Sequence, residues 1–186
     1  MLEKKQVLEY WIKRTKKYKE RAVGYRPYEK NKFIMEHIDT SYKTLDYGCG
    51  TGACSFNFKN YLGVDIMESL VNFAKEKYPD KNFLVLEDLC LPEKLNFDFE
   101  QFFTATVLQH NPDDVVREIF ESVAQLKSEN IIFSLYENSQ SNANHMKARD
   151  SKDYVNLLNK YFNIQDYTFY KHKIFNAEHT LTIIKV

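Results

Sequence analysis

Short hydrophobic runs alternate with amphipathic segments along most of this chain. Apolar residues at three-to-four spacing (Val7, Leu8, Trp11 and Ile12) predict an opening helix, and a second helix is predicted over residues 28–38, after Pro27. Beyond them, the pattern predicts strands over residues 44–47, 61–66, 83–86, 100–105 and 130–136, and helices over 68–78, 113–126 and 152–162.

This order of elements predicts an α/β fold in one domain, residues 1–186. Strands that are separated by helices form a mostly parallel sheet with helices on both faces. The last two predicted strands, 164–171 and 179–186, are separated only by a short polar turn, which predicts an antiparallel hairpin at one end of the sheet. Residues 137–150 are rich in Ser and Asn without periodicity, and we expect them to form a substrate loop.

Charge is balanced overall but uneven along the chain. The formal net charge is +0, which does not indicate a nucleic-acid or membrane partner. Residues 1–30 nevertheless contain ten Lys or Arg and four acids, a local net charge of +6. Two interpretations remain open: a solvated helix face, or a cationic wall for an anionic substrate.

The cysteines and the first ten residues give information on the cellular compartment of the protein. The three cysteines, Cys49, Cys54 and Cys90, show no C-x-x-C spacing, which argues against a zinc site or a disulfide framework and favours reduced thiols in the cytoplasm. No apolar run approaches the roughly 20 residues that span a bilayer. The start, MLEKKQVLEY, lacks the apolar core of a signal peptide. The oligomeric state is not predictable here.

The stretch TLDYGCGTG, residues 44–52, contains three of the five glycines in the chain. It follows a predicted strand, where ligands of open α/β sheets bind, and glycines let backbone approach a ligand. A helix start after the loop would add free N–H groups. The spacing G-x-G-x-G differs from the dinucleotide pattern, and no P-loop lysine follows.

An acid two residues before the first glycine repels a pyrophosphate and suits an ammonium group. The preferred ligand therefore has a nucleoside and an amino-acid tail without phosphate, and S-adenosylmethionine meets these conditions. The loop residues predicted to bind it are Asp46, Gly48, Cys49, Gly50 and Gly52.

Two further acids follow the next two predicted strands. Asp65, at the end of GVDI, can accept both hydroxyl protons of a ribose. Asp88 is expected to accept from an adenine amino group. The apolar neighbours Ile66 and Leu89 are expected to sandwich the adenine ring.

The segments LDYGCGTG, GVDI, LEDL and FFTATVLQHNPDD together resemble the successive motifs of class I S-adenosylmethionine-dependent methyltransferases, over about residues 20–137. The resemblance implies a Rossmann-like, seven-stranded sheet with an antiparallel last strand and an N-terminal helical lid, residues 1–40. By that resemblance Tyr18, Arg21 and Tyr25 contact the cofactor or substrate, and Thr104 and Gln109 flank the methionine tail. One departure is a short helix, 53–60, after the glycines.

Methyl transfer is an in-line displacement for which the protein mainly supplies alignment, and an oxygen or nitrogen nucleophile can also need a base. His110, after the fourth strand, is the first candidate base; the alternative is a histidine packed under the next helix. His145 is the second candidate. Tyr136, Lys147 and Arg149 are expected to contact the substrate, the two cations holding an anionic group, unless this segment is only a mobile polar loop.

Three functions therefore compete. The first is methyl transfer to an oxygen or nitrogen of a small molecule, possibly a sugar or a phosphorylated metabolite, without nucleic acid or membrane. The second is an RNA or protein methyltransferase, favoured by the basic start but opposed by the zero net charge. The third is a non-catalytic cofactor-binding subunit.

Overall fold

The computed structural model describes residues 4–22, 28–127, 129–140, 146–174 and 177–186. Its seven strands form one sheet in the order β3-β2-β1-β4-β5-β7-β6, which confirms the predicted α/β fold. All pairings from β3 to β5 are parallel, and β7 pairs antiparallel with β5 and β6. The strands are β1 Thr44–Tyr47, β2 Tyr61–Asp65, β3 Asn82–Val85, β4 Gln101–Ala105, β5 Ile132–Asn138, β6 Asp166–Ile174 and β7 Ala177–Lys185.

Helices cover both faces of this sheet. They are α1 Lys4–Ala22, α2 Tyr28–His37, α3 Glu68–Lys77, α4 Asp113–Leu126 and α5 Ser151–Leu158. Against α4 and α5, Phe102 and Phe133 pack their rings 5.5 Å apart. On the face of α2 and α3, Phe58 packs against Phe103 at 5.4 Å. Each fully buried Phe stabilises the fold by about 1.5–3 kcal/mol, which is why the hydrophobic runs become central strands.

The strand order reverses beside β1. From β1 the chain runs outward to β2 and β3, then returns to form β4 on the other side of β1. The register pairs Thr44 with both Tyr61 and Gln101, so the carboxyl ends of the three strands lie at the same edge. A crevice at such a switch point is where this sheet architecture binds ligands.

The predicted helix over residues 53–60 is wrong. The structure has only a three-residue 3-10 turn, Ser55–Asn57, followed by Phe58 in extended backbone. The segment contains Ser and Asn, which favour turns over helix interiors, and Phe58 is 1% exposed in the core. Between β1 and β2, a segment that the structure describes throughout, no α-helix start therefore supplies N–H groups beside the glycine loop.

Among the other boundaries that differ from the prediction, two concern residues near the site or the core. Strand β5 continues to Asn138, so Glu137 belongs to the sheet rather than to the substrate loop. Helix α5 begins with a capping box between Asp150 and Asp153 and ends at Leu158. Phe162 lies beyond it and packs on Phe133 at 5.0 Å, which explains why its apolar spacing suggested a longer helix.

The N-terminal helix α1 packs against the rest of the protein through side chains that include Val7. Val7 is 1% exposed, and the Thr15 hydroxyl donates to the Trp11 carbonyl at 2.7 Å. The helix contacts α3, which follows β2. Like the other helices that the structure describes, α1 lacks the apolar length to cross a bilayer.

Candidate functional site

The three glycines after β1 all have left-handed backbone, with φ of 73° at Gly48, 54° at Gly50 and 70° at Gly52. A Cβ at Gly48 would lie 2.6 Å from Val107, and one at Gly52 would lie 2.9 Å from Phe83, so packing excludes side chains there. At Gly50 a Cβ would meet nothing within 4 Å. Gly50 therefore opens onto free space, and this face of the loop is the one that a ligand can approach.

Asp65, at the end of β2, lies against this loop. Its carboxylate accepts the Gly50 N–H at 2.9 Å and the Met67 N–H at 2.8 Å. Burial raises the pKa of Asp65, and these N–H groups act in the opposite direction. Two backbone donors thus hold the carboxylate in a fixed orientation beside the open glycine. Ile66 is half-buried next to it.

Asp46 lies deeper, beneath the loop. It is 3% exposed and accepts a hydrogen bond from the Tyr61 hydroxyl at 2.7 Å. Burial raises the pKa of Asp46 to about 7. Its neighbour Cys49 is buried, which raises the pKa of that thiol as well. The hydrogen bond from Tyr61 to Asp46 was not predicted from the sequence. The predicted contact of Asp46 with an ammonium group stays a prediction.

The segment after β3 is tied to β1. Asp88 is exposed, and its carboxylate accepts the Leu89 N–H at 2.7 Å. The Leu89 carbonyl accepts the Tyr47 hydroxyl, and the Leu89 side chain is 7% exposed within the hydrophobic core. Asp88 is thereby held at the crevice edge, where the predicted adenine contact remains untested.

A carboxylate that we did not predict organises the turn after β4. Glu137, which is 1% exposed, accepts the N–H groups of Val107 at 3.1 Å, Leu108 at 3.0 Å and Gln109 at 3.2 Å. The fully buried Thr104 hydroxyl donates to it at 3.4 Å. Burial raises the pKa of Glu137 to about 7, against the effect of the backbone donors. Glu137 thus shapes the backbone that leads to His110.

Helix α1 covers His110. The Trp11 ring meets the His110 ring edge-on at 4.9 Å, and the Tyr10 ring stacks on it at 6.3 Å. The Arg14 guanidinium lies 4.9 Å from the centre of the Tyr10 ring. The predicted packing of His110 was under the following helix, whereas the structure packs it under aromatic side chains of α1. This contact brings a cation of the basic N-terminal segment close to the crevice.

Gln109 is held inside the same turn. It is 4% exposed, and its side-chain oxygen accepts the Asn138 N–H at 2.6 Å. Its side-chain nitrogen lies 3.4 Å from His110 Nε2. Like Thr104, Gln109 makes its described contacts within the protein, and the predicted contacts of both residues with a methionine tail are not tested.

The two cations predicted to hold an anionic substrate are engaged by the protein. Arg149 is 2% exposed and donates through Nε to Asp113 at 2.9 Å, through Nη1 to the Leu108 carbonyl at 2.9 Å, and through Nη2 to the Asn111 carbonyl at 2.8 Å. Lys147 pairs with the other oxygen of Asp113. Partial burial acts to raise the pKa of Asp113, but the two cations outweigh it and lower that pKa. These contacts favour a structural clamp on the turn over substrate binding.

Tyr136 is also enclosed. It is 0% exposed, its hydroxyl lies 2.9 Å from His172 Nδ1, and its ring stacks on His179 at 5.2 Å. Phe33 of α2 stacks on His172 at 4.2 Å. This packing ties α2 to the β6–β7 hairpin and does not support the predicted substrate contact of Tyr136.

Four predicted residues cannot be compared with the structure. Tyr25 and His145 lie outside the described residues. Tyr18 and Arg21 lie on α1, but their side chains are outside the described part of the chain. Among the residues that are described, no group of three His, Cys, Asp or Glu could hold a metal ion.

A family model for a methyltransferase domain matches residues 38–178. The chain belongs to this methyltransferase family. The match extends from the residues before β1 to the start of β7, so it includes the glycine loop, and it confirms the predicted enzyme class. It also agrees with S-adenosylmethionine as the predicted cofactor. No curated protein matches the chain.

Solved structures of methyltransferases share the fold. A TehB-like S-adenosylmethionine-dependent methyltransferase from Corynebacterium glutamicum is 17% identical, with a TM-score of 0.65 over 92% of this chain and 97% of that one. The magnesium protoporphyrin IX methyltransferase of Synechocystis, solved with S-adenosylmethionine bound, is 18% identical, with a TM-score of 0.60 over 85% and 77%. An S-adenosylmethionine-dependent methyltransferase from Clostridium acetobutylicum is 16% identical, with a TM-score of 0.58 over 83% and 90%.

Proposed function

We propose that this methyltransferase binds S-adenosylmethionine at the crevice beside β1 and methylates an oxygen or nitrogen of a small anionic molecule. The observation that carries the cofactor site is the Asp65 carboxylate, which two backbone N–H groups orient beside the open, left-handed Gly50. Similar folds in the Synechocystis and Clostridium enzymes named above support the same cofactor.

The chain's own residues fit this cofactor. An oriented carboxylate such as Asp65 is suited to accept hydrogen bonds from ribose hydroxyls, and Asp88 lies on the neighbouring loop for the adenine amino group. Gly50 lets the ligand approach the backbone where any Cβ would project into the space. When bound, S-adenosylmethionine supplies a methyl group activated by its sulfonium charge, and the protein contributes alignment.

The acceptor is proposed from the charge around His110. Arg14 lies over Tyr10, which in turn stacks on His110. Helix α1 carries eight Lys or Arg and two acids in its sequence, so its field attracts an anion toward the end of β4. Since Arg149 and Lys147 are engaged with Asp113, we assign the anion-holding role to Arg14 instead.

The cofactor site is tested by Asp65→Ala, measured as the affinity for S-adenosylhomocysteine by titration calorimetry. Two charge-assisted hydrogen bonds at about 1.5–3 kcal/mol each predict a loss of roughly 100-fold or more. Asp80→Ala is the matched control, since that side chain is 75% exposed on the surface. Unchanged affinity of folded Asp65→Ala would refute the site.

The acceptor class is tested with isotopically labelled S-adenosylmethionine and a panel of small carboxylates, phosphates and sugars, compared with neutral analogues. We expect label in anionic acceptors and less of it with Arg14→Gln. The competing RNA function predicts binding to tRNA that weakens steeply with salt. Label in RNA or protein alone would refute the small-molecule proposal, and cofactor binding without any transfer would favour a non-catalytic subunit.

A further inference from the structure

The orientation of the Gln109 amide is determined by its neighbour on β5. The Asn138 N–H is a donor only, and it lies 2.6 Å from Gln109 Oε1. Rotating the amide by 180° would bring its NH₂ group against this N–H and leave two donors facing each other in a buried site. The oxygen must therefore face Asn138, and the side-chain nitrogen must face His110.

This orientation sets the protonation of the histidine ring. An amide nitrogen has no lone pair to offer, so Gln109 Nε2 can only donate across the 3.4 Å that separates it from His110 Nε2. His110 Nε2 must then be unprotonated, with its lone pair directed at the Gln109 side-chain nitrogen. In the neutral ring, the proton consequently lies on Nδ1, because the partner of one ring nitrogen decides which one is protonated.

We infer that Gln109 is a positioning residue that holds His110 as the neutral tautomer with its proton on Nδ1. This inference rests on the proposed function, which places the methyl acceptor near His110. A ring in this state has one nitrogen bonded to Gln109 and the other already protonated. His110 in this state therefore orients its surroundings rather than removing a proton from the methyl acceptor.

The other groups around the ring act on its charge in both directions. On α1, Tyr10 stacks on the His110 ring, and the Arg14 guanidinium lies over the Tyr10 ring. This nearby cation disfavours a positive charge on His110. On β5, the Glu137 carboxylate accepts the backbone N–H of Gln109, and this nearby acid favours a positive charge on His110. Beyond the turn, Lys147 donates its backbone N–H to the Gln109 carbonyl, while its side chain is neutralised by Asp113. The side-chain nitrogen of Gln109 lies within hydrogen-bonding distance of the ring itself.

Nitrogen NMR of the full chain with ¹⁵N-labelled histidine tests this tautomer directly, at about pH 8, where a neutral ring is expected. We expect His110 to show a protonated Nδ1 and an unprotonated Nε2. The opposite tautomer, or a rapid average of the two, would overturn the inference. Because this measurement needs no acceptor, it stands even if the methylation assays fail.

The variant Gln109→Glu tests the cause. Its carboxylate can still accept the Asn138 N–H, but toward His110 it replaces a donor with an acceptor. We expect the proton to move to Nε2, where it can be donated to the new carboxylate. Gln125→Glu, on the exposed face of α4, makes the same charge change without touching the ring. A His110 signal in Gln109→Glu that matches both the wild type and this control would refute a positioning role.

Discussion

Two alanine substitutions in the loop after β1, at Gly48 and Gly50, separate folding from binding. Gly48→Ala places a Cβ 2.6 Å from the Val107 side chain, whereas Gly50→Ala places one in open space. Both residues have left-handed backbone, with φ of 73° and 54°. We predict that Gly48→Ala mainly lowers stability and that Gly50→Ala mainly lowers cofactor affinity.

The magnitudes follow from these contacts. A left-handed alanine costs about 1–2 kcal/mol at either position. Overpacking against Val107 adds about 1–3 kcal/mol at Gly48. In a chain of 186 residues, each kcal/mol lowers Tm by about 2–4 °C, so we expect losses of about 2–8 °C for Gly50→Ala and about 4–20 °C for Gly48→Ala.

The assay combines thermal unfolding with titration of S-adenosylhomocysteine at a temperature where both variants are folded. Gly50→Ala should lose at least about tenfold in affinity, equivalent to about 1.4 kcal/mol, because its methyl group occupies the ligand's space. Gly48→Ala should bind closer to the wild type. If folded Gly50→Ala binds as tightly as the wild type, the open face of the loop is not the cofactor site.

Two further predictions concern buried charges. Burial raises the pKa of Asp46 to about 7, above its ordinary 3.8, so the folded state holds a proton that the unfolded state releases. The stabilisation from this group is complete below pH 3.8 and is lost as the pH rises through about 7. Urea unfolding at several pH values should show this decline in the wild type and a smaller one in Asp46→Asn. An equal dependence of the unfolding free energy on pH in both proteins would contradict the prediction. Arg149→Ala should lower the free energy of unfolding by about 2–4 kcal/mol, because it leaves two buried carbonyls without their donor and leaves Asp113 paired with Lys147 alone. Its affinity for S-adenosylhomocysteine should change little, and a large loss of affinity without a loss of stability would contradict the structural role.

The elements of the fold were largely predictable because their signals are local. The buried runs of β1 and β4 and the amphipathic pattern of α4, Asp113–Leu126, each lie within a few residues of sequence. The helix over 53–60 was expected from the family resemblance and is absent, because Phe58 reaches the core only if the backbone extends after a single 3-10 turn.

The position of Asp65 beside the glycine loop was predictable for a related reason. Once strands are known to be parallel, residues that follow them must meet at the same edge, so Asp65 and the glycine loop come together without further information. That argument depends on strand ends rather than on individual contacts, and it therefore holds at the level of sequence.

The partners of the polar side chains depended on the tertiary structure. Glu137 lies 30 residues from Val107 in sequence, and Arg149 lies 41 residues from the carbonyl of Leu108, so no local pattern links them. The same cations and carboxylates could have faced solvent or substrate. The sequence alone therefore determined the order of the elements and the place of the crevice. Only packing decided which polar groups are hydrogen-bonded inside the protein, because these partners are set by distances between segments that lie far apart in the sequence.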